Sequence, residues 1–181
     1  MTVCYKLCGA FFSVLILSAP LSAVHAETVN LIGSDTIEIP DSWSLVTSDG
    51  LSRRDKGNIL LFKATAPIMC VIRGTASAQS QSDDSFNATD IGWIKSFYEN
   101  SARKKGAELR FTSAPAFRRF KNHYAVGYEG NYEFQGRTYP VRELVINGRS
   151  ATYGFKLISP SSEFHPFCVN EYEKILSTLK M

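Results

Sequence analysis

Two histidines, two cysteines and a few Ser–Lys pairs hold most of the reactive potential of residues 27–181. A zinc site needs two or three ligands at recognisable spacing, and His123 and His165 do not supply it. A solvated histidine is the expectation for each. The S-x-x-K pattern occurs at Ser101/Lys104 and again at Ser177/Lys180, both on expected helix surfaces near their C-terminal ends. The S-D-N and K-T-G companions that give this pattern catalytic meaning are missing, as is G-x-S-x-G. Asp83 and Asp84 are paired carboxylates, but they sit in a polar stretch with no apolar run to raise a pKa for general-acid work. No glycine-rich phosphate loop precedes a helix. The pattern predicts a protein that binds and does not catalyse, with no metal and no cofactor.

Cysteine chemistry depends on compartment, and the N-terminus addresses that. Lys6 precedes an apolar run, Cys8–Leu21, and small residues Val24 and Ala26 stand where a signal peptidase reads before Glu27. The run falls short of the roughly 20 apolar residues of a membrane span. The expectation is a signal peptide over residues 1–26, cleaved after Ala26, and a periplasmic or secreted protein. Cys4 and Cys8 leave with it. Cys8 precedes the apolar run instead of ending it, which disfavours a lipid anchor. Cys70 and Cys168 remain, an even pair in an oxidising compartment, so a disulfide is the default reading. Two buried free thiols are the alternative. A bridge closing so long a loop contributes about 4–5 kcal/mol in the chain-entropy description.

Of 20 basic residues, Lys6 alone lies in the leading segment, which leaves 19 against 17 acidic ones. So slight an excess argues against nucleic acid as a partner. Three basic clusters stand out: Arg53/Arg54/Lys56, Arg103/Lys104/Lys105 and Arg118/Arg119/Lys121. A helix end explains the second. Arg53, Arg54, Arg118 and Arg119 are the candidate partner-binding residues, suited to an acidic protein or, by peripheral contact, an anionic membrane surface. No transmembrane segment is expected after Ala26.

The elements that must position these residues follow from periodicity. Thr36–Ile39 alternates and stops at Pro40, Trp43–Val46 is extended, and Ile59–Thr65 is a strand. Asp49-Gly50 and Lys56-Gly57-Asn58 are turn signals. A second apolar stretch, Ile68–Ile72, holds Cys70, and residues 75–90 read as a solvated loop. Ile91, Ile94, Phe97, Tyr98 and Ala102 share one face of a helix capped by Thr89 or Asp90 and closed by Gly106. Leu109 and Phe111 mark a short strand. Tyr124 to Phe134 alternates over a long strand with one buried and one wetter face. Gln135-Gly136 and Asn147-Gly148 turn the chain twice, which gives a three-stranded meander. Phe164, Cys168, Tyr172, Ile175 and Leu179 mark a terminal helix, with Pro166 in its first turn. The expected class is α+β: an antiparallel sheet flanked by two amphipathic helices, one domain over residues 27–181.

This texture resembles the PsbP/Mog1 fold, and within it the DcrB-like bacterial envelope proteins. The resemblance rests on Ile37-Glu38-Ile39-Pro40 with Trp43 after it, the helix ending near Gly106, the meander around Asn147-Gly148 leading to Ser159-Pro160, and the terminal Ile175-Leu176-Ser177-Thr178-Leu179. It covers nearly all of residues 35–180. It implies a binding or assembly factor with no fixed catalytic motif, so no site residue is carried over. DcrB-type members usually bear a lipid-anchor cysteine, and this chain departs from that. The expected function is therefore an exported, non-enzymatic accessory factor that binds a protein partner in the envelope. The alternatives are an immunity protein against an imported toxin, and a small-molecule binder using an aromatic cleft around Trp93, Tyr128 and Tyr132.

Overall fold

A computed structural model describes residues 26–46, 59–64, 69–78 and 81–181. The turn signals at 49–50 and 56–58 lie outside the described residues. So do Arg53, Arg54 and the segment expected to be a signal peptide, save Ala26 itself. In chain order the elements are β1 (Glu27–Asn30), β2 (Thr36–Ile39), β3 (Trp43–Val46), β4 (Ile59–Ala64), β5 (Val71–Ser77), α1 (Asp83–Asn87), α2 (Ile91–Arg103), β6 (Glu108–Phe120), β7 (His123–Phe134), β8 (Arg137–Asn147), β9 (Thr152–Ile158) and α3 (His165–Ser177). Strands β3 to β9 form an antiparallel sheet in the order β3-β4-β5-β9-β8-β7-β6. Strands β1 and β2 form a separate hairpin.

The meander is present, and its turns show why. Gln135 and Gly136 both take positive φ (51° and 72°) between paired Phe134 and Arg137, the conformation a two-residue hairpin demands. The second turn departs from expectation. Asn147 is still paired, opposite Thr152, and the Gly148 N–H bonds to the Ala151 carbonyl, so the connection is Gly148–Ala151 and not a two-residue Asn-Gly turn. The Asn147 side chain is buried instead. Its Nδ2 donates to the Gln81 carbonyl (3.0 Å) and Asp83 Oδ1 (3.1 Å), and its Oδ1 accepts from the Gln81 N–H (3.3 Å). That anchor fastens the start of α1 to the sheet.

Three other expectations change. Within the described part of the apolar stretch, residues 69–72, strand begins at Val71, and β5 continues to Ser77. Its outward residues Arg73, Thr75 and Ser77 are polar, which made the segment read as loop. Within 75–90 lies α1, whose Phe86 is buried against Ile94 and Val126. Strand β6 is not short. It runs 13 residues, bent by register shifts between Phe111 and Ser113 and between Ser113 and Ala116. At the first shift Gly130 is required: a Cβ there would stand 2.6 Å from the Arg110 carbonyl oxygen.

Burial follows strand alternation on two faces, not one. Ala125, Leu144, Ile146, Tyr153, Phe155 and Leu157 pack with Cys168, Tyr172 and Ile175 of α3 and with Ile37 and Ile39 of β2. The next residue along β7, Val126, joins Phe86 and Ile94, while Tyr128 joins Ala102, Leu109 and Val141. So α3 and the β1–β2 hairpin cover one face, and α1 and α2 cover part of the other. The end of the chain extends the hairpin, with reciprocal backbone bonds between Thr36 and Lys180.

The Cys70 and Cys168 sulfurs are bonded, with their Cα atoms 5.6 Å apart, joining the start of β5 to the first turns of α3 across 98 residues. Both are fully buried. Loss of this bridge is expected to cost about 4 kcal/mol by raising the entropy of the unfolded chain. A melting curve of Cys168→Ala should move down by about 10 °C, at roughly 2–4 °C per kcal/mol. An unchanged melting temperature would show that α3 is held by packing alone.

Candidate functional site

A polar cluster lies between the sheet and α2. Tyr128 donates to Glu143 Oε2 at 2.7 Å. Lys156 Nζ stands 2.8 Å from the same oxygen and donates to the Tyr132 hydroxyl at 3.1 Å. The ammonium also lies 5.4 Å from the Tyr132 ring centroid and 5.5 Å from that of Tyr98. These residues meet because strand alternation points 128, 132, 143 and 156 to one face, and Tyr98 descends from α2 onto them. Both ions of the pair are mostly covered, with 12% of Glu143 and 19% of Lys156 exposed.

Burial opposes the charge on Lys156, but Glu143 and Tyr132 outweigh it and hold its pKa above the ordinary lysine value. Burial, then the Glu143 charge, pushes the Tyr98, Tyr128 and Tyr172 hydroxyls far above the usual phenol range. Burial and the bond to Asp35 do the same to Tyr153.

A cleft of about 420 Å³ opens beside this cluster, between α2 and strands β5 and β9. Arg73, Lys105, Glu143 and Lys156 bring charge to its wall. A second hollow of about 200 Å³ adjoins it, lined by Phe86, Trp93, Ile94 and Val126, and the two share Phe97, Tyr98, Val145 and Thr152. Above them Trp93 and Phe97 stack on the outer side of α2, ring centroids 5.5 Å apart, and remain 60% and 51% exposed. Phe97 was expected inside the helix face. Instead Ile94 and Ala102 are buried, Ile91 and Tyr98 are half-buried, and Phe97 forms the rim.

Of the arginines expected as partner contacts, the described pair Arg118 and Arg119 does not share a face of the sheet. Arg118 and Arg119 are neighbours on β6 and point to opposite faces. Arg118 lies on the α3 side across Gly127, where a Cβ would meet its guanidinium at 2.7 Å. Arg119 stacks 3.5 Å from the Tyr124 ring on the α2 side. Lys121, third of that cluster, turns away with φ 52° and donates to the carbonyls of Ser177 and Leu179, at the C-terminal end of α3.

His165, Ser159 and Ser177 have structural partners. His165 is half-buried, not simply solvated, and its Nδ1 lies 2.8 Å from Ser159 Oγ. Burial lowers its pKa. Ser159 is fully buried, so this pair is closed to a substrate carbonyl. His123 is half-buried at the start of β7. Ser177 donates to the Lys174 carbonyl, and Lys180 pairs with Glu38 at 3.2 Å. Asp83 and Asp84 occupy the first turn of α1, where their charge suits the helix N-terminus. Among the described residues no group of three His, Cys, Asp or Glu could hold a metal ion, and no helix is long and apolar enough to cross a membrane.

Buried Tyr128, Tyr153 and Tyr172 and half-buried Tyr98 set an alkaline limit. Each keeps its proton in the fold to a higher pH than in the unfolded chain, so their contribution is complete below about pH 10 and is lost above it. Lys156 acts with the same sign. Absorbance at 295 nm should show delayed ionisation of Tyr98, Tyr128, Tyr153 and Tyr172, appearing together with loss of structure above about pH 11. Smooth titration near pH 10 in the folded protein would contradict the described burial.

Neither a protein-family model nor a curated protein sequence matches the chain. Solved structures do. The solution structure of PsbP (CyanoP) from the cyanobacterium Synechocystis superposes with a TM-score of 0.64 at 9% identity, over 90% of this chain and 96% of that one. LpqN of Mycobacterium tuberculosis, described as involved in cell envelope biogenesis, matches at TM-score 0.54 and 15% identity over 87% and 91%. A protein of unknown function from Pseudomonas aeruginosa matches at 0.50 and 22% over 87% and 97%. The fold is therefore α+β and PsbP-like, with an envelope protein among its structural neighbours.

Proposed function

We propose that this chain is exported, loses residues 1–26, and works over residues 27–181 as a non-enzymatic binding or accessory protein of the bacterial envelope. It holds a protein partner against the outer side of α2. The observation that carries this reading is the Trp93–Phe97 stack: two large aromatic side chains left mostly in water at i and i+4 of a helix whose other side is buried. Interfaces concentrate their energy in such aromatics. Arg119, on the same face of the sheet, supplies a rim cation, while Arg118 lies on the opposite face. Export is supported by the Cys8–Leu21 run and by the buried disulfide, which persists in oxidising compartments. The envelope biogenesis role stated for LpqN fits this setting.

Two measurements test the reading. The intact mass of the exported protein should correspond to a chain that starts at Glu27; a chain retaining Lys6 in the membrane fraction would make the leading segment an anchor. The second measurement is cross-linking capture from envelope extract. Trp93→Ser with Phe97→Ser should reduce capture at least tenfold without lowering the melting temperature. Arg119→Glu should weaken it a few-fold, and Arg118→Glu should leave it unchanged. Capture that ignores the aromatic pair removes α2 as the partner surface.

A further inference from the structure

We propose that the paired hollows between α2 and the sheet form a binding site for a small monoanion with an aromatic body, an arylalkyl carboxylate. This site lies beneath the α2 rim, and it shares the rings of Trp93 and Phe97 with the protein contact proposed for the outer side of that helix.

The two compartments differ in chemistry. The smaller, about 200 Å³, has no charged residue on its wall and is bounded by the rings of Phe86, Trp93, Phe97 and Tyr98. An apolar cavity near 150 Å³ accepts a benzene ring, so one aromatic ring fits this compartment. Flat rings gain edge and stacking contacts from aromatic walls beyond simple burial. The larger compartment presents Arg73, Lys105 and Lys156 against one carboxylate, Glu143. Its walls therefore carry more positive than negative charge, and they lie a side chain's length from the apolar hollow through the shared Phe97, Tyr98, Val145 and Thr152.

The donor count points the same way. A lysine ammonium has three N–H donors. Lys156 gives one to Glu143 and one to Tyr132, and among the described residues it has no third acceptor. Lys105 is exposed at the mouth and makes no ion pair with a described residue. A carboxylate offers two acceptor oxygens. It can take the remaining Lys156 donor with one and face Lys105 with the other, while its ring occupies the apolar end. A neutral ligand of the same shape would offer no charge to Lys105 and a weaker acceptor to the third Lys156 donor. A second anionic group would meet Glu143.

The test uses 3-phenylpropionate as the probe and the fluorescence of Trp93, which lines the apolar hollow, as the readout. Trp43, the other tryptophan, is buried. Titration of the exported protein should give saturable binding with a Kd of about 1 mM or tighter. The isosteric alcohol 3-phenylpropan-1-ol should bind at least tenfold more weakly, and propionate should not bind measurably. Added salt should weaken the acid and spare the alcohol. Lys105→Glu changes only an exposed charge, so it keeps the fold, and it should lower the affinity for the acid at least fivefold. Val145→Trp fills the junction of the two compartments and should abolish binding. If Val145→Trp fails to fold, Lys105→Glu and the alcohol decide the matter. No saturable binding of the acid, equal binding of acid and alcohol, indifference to Lys105→Glu, or unchanged binding in folded Val145→Trp would each overturn the proposal. Arg119 lines neither hollow, so Arg119→Glu reads protein capture independently of the ligand, whereas Trp93→Ser with Phe97→Ser alters both surfaces.

Discussion

Strand β7 needs two covers, and the rest of the structure depends on that constraint. Ala125 and Val126 are consecutive, so they point to opposite faces, and both are buried. The same holds along β8, where Leu144 packs toward α3 and Val145 toward α2. A sheet that is apolar on both sides at its centre cannot leave either face to water. One cover is complete: α3, the β1–β2 hairpin and the disulfide occupy the face carrying Tyr153, Phe155 and Leu157. The other cover is a single long helix and a one-turn helix.

Geometry makes that second cover partial. Strands lie about 4.8 Å apart, so seven of them present a face nearly 30 Å wide. A helix with its side chains is about 10 Å across. Helix α2 rests mainly over β6 and β7, touches β9 through Tyr98 above Lys156, and among the described residues leaves the outward side of β5 open to the cleft. The uncovered strip must tolerate water, and its outward residues are Arg73, Thr75 and Ser77 on β5 and Thr152 and Lys156 on β9. At the border between covered and open sheet, polar and apolar side chains are forced together. The Glu143–Lys156 pair and its tyrosines sit on that border. A half-buried ion pair is costly unless hydrogen bonds support it, and here Tyr128 bonds to Glu143 and Tyr132 accepts from Lys156. The cleft is thus a consequence of one helix covering a sheet too wide for it.

Much of this was legible in the sequence. The alternation from Tyr124 to Phe134 located β7, the spacing of Ile94 and Ala102 located α2, and Cys168, Tyr172 and Ile175 located the buried side of α3. These signals are local, and local periodicity survives without tertiary information. The failures have a common cause in context. β5 read as loop beyond Ile72 because its outward side chains are polar, and that polarity reflects where α2 stops. Asn147-Gly148 carries a hairpin signature, but the Asn147 amide is used to hold residues 81–83, a contact that no spacing rule reveals. The wetter face expected for β7 holds Ala125 and Gly127, which are small, so their burial left no mark on a hydrophobicity pattern.

The basic cluster at 118–121 shows how linear proximity misleads on a strand and its turn. In the sequence Arg118, Arg119 and Lys121 form one cationic patch. In the fold one crosses Gly127 on the α3 side, one stacks on Tyr124 on the α2 side, and one meets carbonyls at the end of α3. A charge serving a helix end or lying flat on a ring is partly spent in local structure. Trp93 and Phe97 are the opposite case. Their period assigns them to a helix, and for Phe97 to its buried side, yet the core against Val126 is made without them, by Phe86 and Ile94 with Ile91 and Tyr98. Two rings stacked in water on a helix, above a hollow with apolar walls, are the most exposed of the aromatic side chains among the described residues. The side chains that stability does not consume are where binding is to be sought, and here they are aromatic.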